Sequence, residues 1–345
     1  MVSVKDFIVD DPSIESQWRS LILFGRNSAS YKFAFARSLL EIASRERTVI
    51  TLDELAIPFS GYLIEHLKVH DKQGSSRSSD FLNACRLRIK NRITEEELLA
   101  KTVEKGFVNV VDAFQNIAGG ELERLFYEKD YSGPSKKIII TDELLKLKES
   151  AYYENLGAEV DARWSLVETA WNIGISPHLL QVEYDELGEM FFIKSNINRR
   201  VDITSSRSAL NGYQKGKCFY CCCDISIIKG AGDLCHVDHF LPHVNKLQHL
   251  PGNINGVWNL VLACSQCNGA SEKGAKIPGI EFLAKLSQRN EYYVSSKHPL
   301  SETIQNQTGK SERDRRGFLN KHFQIARNSN PTKQWKPKER LPCPF

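Results

Sequence analysis

Apolar residues recur at intervals of three and four along most of the first half of the chain. The spacing predicts amphipathic helices, and it is clearest in three segments, 18–43, 52–70 and 96–128. Thr51 and Thr94 stand directly before acidic residues at the start of two such segments, which is typical of helix N-caps. We therefore expect residues 1–185 to form a mostly helical domain whose aromatic residues belong to its core.

The pattern changes after Pro177. Two short stretches, LLQVEYDEL and EMFFIKSN, predict strands around a turn, and we assign 186–206 to a short β-hairpin or linker. A cysteine-rich region at 207–285 follows, and a helical and basic segment at 286–345 ends the chain. The predicted fold class is α+β, with a mostly helical N-terminal domain, a small strand-containing core and a helical basic extension.

Charge and hydropathy narrow the class of protein. No apolar run approaches the roughly 18 residues that a membrane span needs, and the N-terminus lacks the basic and then apolar order of a signal peptide. We expect a cytoplasmic protein with no membrane contact. The net charge is only +4, but residues 312–340 hold nine Lys/Arg against three acidic residues, a local net of +6. Such a segment suits contact with a phosphate backbone, and equally a solvated tail.

Seven of the nine cysteines lie between residues 218 and 267. In a reducing compartment, this clustering favours a metal site over disulfide bonds. Two C-x-x-C pairs, Cys218 with Cys221 and Cys264 with Cys267, are separated by 42 residues and can supply four thiolates to one tetrahedral zinc ion. We expect structural zinc there, with no open position for catalysis.

The zinc register stays open at the first pair, because three cysteines are consecutive and Cys222 can replace Cys221 as the ligand. Otherwise we interpret Cys222, Cys223 and Cys235 as small buried residues, which is usual for free cysteines. Cys343 has no role that the sequence indicates.

The octapeptide HVDHFLPH, residues 236–243, concentrates titratable side chains between the two cysteine pairs. It holds His236, Asp238, His239 and His243. A zinc ribbon needs only turn glycines and a few apolar residues at this place. Because sulfur already fills the four zinc positions, these side chains need a different role.

Three separated parts of this region resemble the HNH endonuclease family. The family pattern, D-H-x-x-P, then N-L, then C-x-x-C-[HN], is met in order by Asp238, His239 and Pro242, by Asn259 and Leu260, and by Cys264, Cys267 and Asn268. The resemblance covers roughly 60 of the 345 residues. It implies a ββα-metal core, in which two strands and a helix fold around one divalent cation.

The resemblance also implies roles for four residues. His239 would be the general base that takes a proton from the attacking water, a task suited to a pKa near neutrality. Asp238 and Asn268 would bind a catalytic Mg²⁺ or Mn²⁺ through oxygen, with Asn268 at the start of the helix. Asn259 would brace the loop and orient the base. The ordinary alternatives are a structural histidine for His239, a surface salt bridge for Asp238 and a helix cap for Asn268.

Other polar residues nearby are less specific. His236 and His243 either assist metal or phosphate binding or act as supporting residues. Position 271 is Ser271 where the family commonly has lysine, and the first lysines after the second cysteine pair are Lys273 and Lys276. Either lysine contacts phosphate or lies on a solvated helix face.

We therefore expect a metal-dependent endonuclease that hydrolyses DNA, in a setting such as bacterial restriction or anti-phage defence. The helical N-terminal domain would select the substrate or bind partner proteins of that system, and the basic C-terminal segment would hold the DNA backbone. Two alternatives remain: a zinc-ribbon module that binds nucleic acid or protein without cutting, and an HNH nuclease directed at RNA or tRNA.

Overall fold

The computed structural model describes residues 12–24, 29–45, 47–74, 79–117, 120–121, 124–150, 153–176, 180–194, 200–242, 253–296, 298–329, 334–343 and 345. Two compact units divide the chain at residue 175. Each unit combines helices with small antiparallel sheets, so the predicted α+β class is confirmed. In the described residues, no helix is both long enough and apolar enough to cross a membrane.

The N-terminal unit, residues 12–175, is mostly helical, as expected. Its described helices are α1 (Ile14–Phe24), α2 (Tyr31–Ala43), α3 (Leu52–Val69), α4 (Asp80–Ile89), α5 (Glu95–Lys101), α6 (Val110–Ala113), α7 (Asp142–Lys148) and α8 (Tyr153–Asn172). Its strands are β1 (Val49–Thr51), β2 (Asn116–Ile117), β3 (Gly120–Glu121), β4 (Tyr127–Asp130) and β5 (Lys137–Ile140). One sheet has the order β1-β5-β4, and β2 pairs with β3.

Local sequence signals account for two helix starts in this unit. Thr51 accepts a hydrogen bond from the backbone N–H of Glu54, whose side chain in turn accepts one from the Thr51 backbone. Thr94 and Glu97 form the same capping box at the start of α5. Both predicted N-caps are confirmed, because each box satisfies backbone donors that the first helical turn leaves unpaired.

The C-terminal unit, residues 176–345, contains the cysteine-rich region. Its described strands are β6 (Glu183–Asp185), β7 (Met190–Lys194), β8 (Arg200–Ser205), β9 (His236–His239) and β10 (Leu260–Ala263). Its described helices are α9 (Ser206–Gln214), α10 (Ser265–Asn268), α11 (Ile280–Ser295), α12 (Ser301–Thr308) and α13 (Glu312–Ser329). Strands β6, β7 and β8 form an antiparallel sheet, and β9 and β10 form a separate pair.

The β9–β10 pair carries the candidate site. The strands are antiparallel, with His239 opposite Leu260 and Asp238 opposite Val261. Val257–Asn259 form a 3₁₀ turn directly before β10 begins. All four residues of β10 are buried, so its continuous apolar sequence reflects burial on both faces.

The helix expected after the second cysteine pair is a single turn, α10. Asn268 is the last residue of this turn, so its predicted place at the start of a helix is wrong. The reason is local: the Cys264 sulfur accepts the backbone N–H of Cys267 at 3.4 Å and thereby caps the turn. Gly269 then ends it. α10 packs against β9, so the second cysteine pair, Cys264 and Cys267 (the second knuckle), lies beside the candidate site.

Candidate functional site

The four cysteines predicted to share one metal lie together. The sulfur atoms of Cys218, Cys221, Cys264 and Cys267 are all within 4.8 Å of one another. Cys221 and Cys264 sulfurs are 3.7 Å apart, close to the roughly 3.8 Å expected for two sulfurs at about 2.3 Å from one tetrahedral zinc ion. The arrangement is consistent with a structural zinc site.

Backbone hydrogen bonds join the first cysteine pair, Cys218 and Cys221 (the first knuckle), to the β9–β10 hairpin. The Cys218 N–H donates to the Cys223 carbonyl at 2.8 Å, and the Phe219 N–H donates to Leu262 in β10 at 2.9 Å. Gln214, at the end of α9, both donates to the Leu262 carbonyl and accepts its N–H. The cluster and the hairpin are therefore one continuous structure.

The ambiguity in the zinc register is resolved by the neighbours of Cys222. Cys221 contributes the sulfur to the cluster, whereas Cys222 forms a disulfide bond with Cys343. The prediction that Cys222 is a free buried residue is therefore wrong, and its partner is Cys343, for which the sequence indicated no role. The backbone of Cys222 has a φ of 63°, and this left-handed turn separates its direction from that of Cys221.

The C-terminal segment packs onto this knuckle. The Leu341 N–H donates to the Cys221 carbonyl at 2.9 Å, and Trp335 lies edge-on to Tyr220 with ring centroids 5.2 Å apart. Trp335 also exchanges backbone hydrogen bonds with Ile277 and Gly279. Residues 334–343 are therefore held by packing and a disulfide rather than by a helix or strand.

Several basic side chains of this segment are engaged within the chain. Lys336 and Lys338 form ion pairs with Glu281 and Glu272. In α13, Arg315 is buried and pairs through two nitrogens with Glu291. Part of the local excess of positive charge is thus neutralised inside the protein.

Asp238 occupies a buried, positively charged environment. It is 8% exposed, and its two oxygens accept from the Lys273 ammonium at 3.0 and 2.9 Å. The Tyr220 hydroxyl donates to Oδ2 at 2.6 Å. Burial, reinforced by this carboxylate, raises the pKa of Tyr220 well above its ordinary value, which keeps the hydroxyl protonated as a donor. The Asp238 salt bridge is buried and is not on the surface.

Lys273 contradicts both of its sequence interpretations. The side chain is 0% exposed, so it neither lies on a solvated face nor presents its charge to a phosphate. Its ammonium also donates to the His239 carbonyl at 2.8 Å. The turn after α10 accounts for this placement, because the Lys273 N–H donates to the Cys267 carbonyl and Gly274 follows with a φ of 44°.

His239 ends β9 and is 8% exposed. Its Nε2 lies 2.9 Å from Oδ1 of Asn255. An amide oxygen accepts only, so the ring donates to Asn255 from Nε2. Tyr184 of β6 lies edge-on to the ring, with centroids 6.1 Å apart.

Asn259 connects the two ends of the loop between the strands. It is fully buried; its Oδ1 accepts the Leu241 N–H at 2.8 Å, and its Nδ2 donates to the carbonyls of Leu241 and Ile254, each at 2.9 Å. Because the bonded groups flank His239 and Asn255, this amide fixes the local path of the chain on both sides of the imidazole.

The other candidate residues are placed as follows. His236 is half-buried at the start of β9, opposite Ala263. Asn268 is half-buried at the end of α10. Lys276 donates to the Ser271 carbonyl at the surface. His243 lies outside the described residues.

The expected catalytic cation does not fit Asp238 in this conformation. A divalent cation needs carboxylate lone pairs and a negative site, but here both oxygens already bind an ammonium and one also binds a phenol. A second cation would meet the buried charge of Lys273 at short range. The described contacts therefore offer no free carboxylate to Mg²⁺ or Mn²⁺.

Sequence reasoning missed Tyr220 and Asn255, and it gave Lys273 the wrong role. Tyr220 stands inside the first C-x-x-C pair and Asn255 inside a loop, and neither position has a spacing that signals a contact with Asp238 or His239. For Lys273 one signal existed, since it is the first lysine after the second cysteine pair. Its direction depends on the turn at Gly274, which the sequence pattern did not predict.

In comparisons with known proteins, no family model matches this chain, and no curated protein or solved structure matches it significantly.

Proposed function

We propose that the C-terminal unit is a phosphodiesterase of the HNH kind that cleaves DNA, with His239 as its general base. One observation carries the proposal: the β9–β10 hairpin joins Asp238 and His239 to a loop braced by Asn259 and to a four-cysteine cluster. This combination matches the order of the resemblance in three separated parts of the chain. The cluster supplies structural zinc that supports folding.

The imidazole environment supports the assignment of the base. Asn255 accepts from Nε2 and so fixes the orientation of the ring. As the general base, His239 would take the proton of the attacking water at Nδ1. Asn259 positions the segment that carries this ring. General base catalysis of this kind contributes about 10²–10⁴-fold to a rate. A catalytic divalent cation at Asp238 would require that the Lys273 ammonium leave this carboxylate.

Contact with nucleic acid is proposed from charge, and the choice of DNA follows the family resemblance. Arg313, Lys321 and Arg327 lie on α13 of the same unit, and basic side chains of this type neutralise backbone phosphates. RNA carries the same phosphates, so RNA and tRNA are included as substrates in the test. A role for the N-terminal unit in binding partner proteins of a defence system is part of the same proposal.

A plasmid cleavage assay tests the proposal. Zinc-loaded full-length protein is incubated with supercoiled DNA in Mg²⁺, in Mn²⁺ and in EDTA, beside His239→Ala. We expect nicking by the wild type and a loss of about 10²–10⁴-fold in the variant. His70→Ala, which changes a histidine of the N-terminal unit, is the matched control and should keep full activity. Absence of cleavage in every metal and with every substrate would rule out the nuclease.

The buried Asp238–Lys273 pair favours a second function, a zinc-centred module that binds nucleic acid without cutting. Buried, mutually satisfied charges are common as structural elements, and Asp238 and His239 are each 8% exposed. This function predicts salt-dependent binding to DNA, measured by fluorescence anisotropy, with no product formed. Equal binding by wild type and His239→Ala together with no cleavage would establish it over the first proposal.

A further inference from the structure

Lys273 is a cation built into the candidate site. Its ammonium has three acceptors within 3.0 Å: both oxygens of Asp238 and the carbonyl of His239. The ring of Tyr220 lies 5.8 Å from the same nitrogen. The charge therefore lies against the Asp238 carboxylate and the backbone carbonyl of His239.

The position of Lys273 is set by the backbone of the second knuckle and not by chance packing of a long side chain. The backbone of Lys273 is bonded to Cys267, a member of the four-cysteine cluster, and Lys276 N–H returns to the Lys273 carbonyl at 2.7 Å. A side chain at Gly274 would place its Cβ 3.0 Å from the Ala270 carbonyl. The turn is thus tightly constructed, and it aims Lys273 into the protein.

We infer that Lys273 is a resident competitor of divalent cations at Asp238, so that a metal binds this carboxylate only when the ammonium leaves it. The inference deepens the proposed function and rests on it for the relevance of the metal to catalysis. The competition itself does not depend on cleavage. It requires only that a buried carboxylate cannot satisfy a buried ammonium and a dication at the same oxygens.

Removal of the ammonium should therefore expose a metal site. In Lys273→Met, a side chain of similar length and no charge leaves Asp238 as a buried carboxylate to which the Tyr220 hydroxyl still donates. A buried unpaired charge is strongly unfavourable, and a divalent cation is a suitable replacement partner for it. The proposed competition is thus measurable as a gain of metal affinity in Lys273→Met.

The test is Mn²⁺ binding to zinc-loaded full-length protein, followed by the electron paramagnetic resonance signal of free Mn²⁺. We expect Lys273→Met to bind Mn²⁺ at least about tenfold more tightly than the wild type. Lys276→Met removes the same charge from the same turn without touching Asp238 and should leave the affinity unchanged. Adding Asp238→Asn to Lys273→Met should abolish the gain.

Equal Mn²⁺ affinity in the wild type, Lys273→Met and Lys273→Gln would overturn the inference, as would a gain that survives Asp238→Asn. Zinc content and circular dichroism identify which of the two Lys273 variants is folded, and the Mn²⁺ affinity of the folded variant decides the test. The plasmid assay tests a different proposal. A gain of Mn²⁺ affinity without any cleavage would contradict the nuclease and support the competition. Cleavage without the gain would support the nuclease and contradict the competition.

Discussion

Among single residues, the main feature of the candidate site is the buried carboxylate of Asp238 with the groups that bind it. Asp238 binds Lys273 and Tyr220, and the three side chains come from β9, from the turn after α10 and from the first cysteine knuckle. A buried ion pair adds little net stability compared with apolar packing. Removing one partner, however, lowers the free energy of unfolding by about 3–5 kcal/mol, because the other charge is left buried and unpaired. The position of the Asp238–Lys273 pair next to His239 makes it a determinant of what the site can bind.

Asn259 gives a stability prediction at the same scale. Asn259→Ala leaves two carbonyls and one N–H of the buried loop without their partners, so we expect the free energy of unfolding to fall by about 2–4 kcal/mol. Chemical denaturation measures it. Asn320→Ala, an exposed change on α13, should stay within about 0.5 kcal/mol. A similar small effect at Asn259 would mean that the loop has no need of the amide.

The sequence predicted which residues of this region are near one another and not how they are bonded. Asp238 and His239 on β9, and Asn259 directly before β10, were found because they belong to short motifs. The partners of Asp238 were not, because Lys273 is 35 residues away in sequence and its direction depends on a tight turn. Long-range polar contacts of this type leave no periodic pattern in a single sequence.

At the element scale, the two cysteine knuckles hold the hairpin. We expect Cys264→Ala to lose zinc and to unfold the region around β9 and β10, because structural zinc contributes directly to folding. Metal analysis and amide hydrogen exchange report the two effects. Cys235→Ala changes a buried cysteine outside the cluster and should keep about one zinc per chain. Full zinc in Cys264→Ala would exclude a four-sulfur site.

The disulfide between Cys222 and Cys343 gives the second prediction at this scale. Without reducing agent, Cys343→Ser should lower the free energy of unfolding by about 2–4 kcal/mol, because the open chain gains conformational entropy when unfolded. In excess reductant, wild type and variant should unfold at the same denaturant concentration. A difference of equal size in both conditions would show that the serine acts through packing and not through the bond.

These two cysteine assignments show why spacing is informative only locally. Paired C-x-x-C segments identify a common metal because two intervening residues direct both sulfurs to one centre. The disulfide joins residues 121 positions apart, and nothing in the sequence around Cys343 indicates that the tail returns to the first knuckle. Helix starts at Thr51 and Thr94 were predictable for the same local reason.

At the scale of the whole molecule, the chain has two independent cores. The N-terminal unit buries Trp18, Phe35 and Trp164 completely or nearly so and holds a buried Arg19–Glu159 pair. We expect residues 12–175 to fold without the remainder, since a domain of this size can build its own core. The checks are a cooperative thermal transition and a near-ultraviolet dichroism signal, and a transition without that signal would contradict them.

The central claim is that His239 removes a proton from the water that attacks a phosphodiester. The most direct measurement is the initial rate of plasmid nicking by wild type and His239→Ala, each with and without added imidazole. We predict that His239→Ala is slower by about 10²–10⁴-fold and that free imidazole, supplying the missing base, raises the rate of the variant alone. Equal rates for the two proteins, or no nicking by the wild type, would contradict the account.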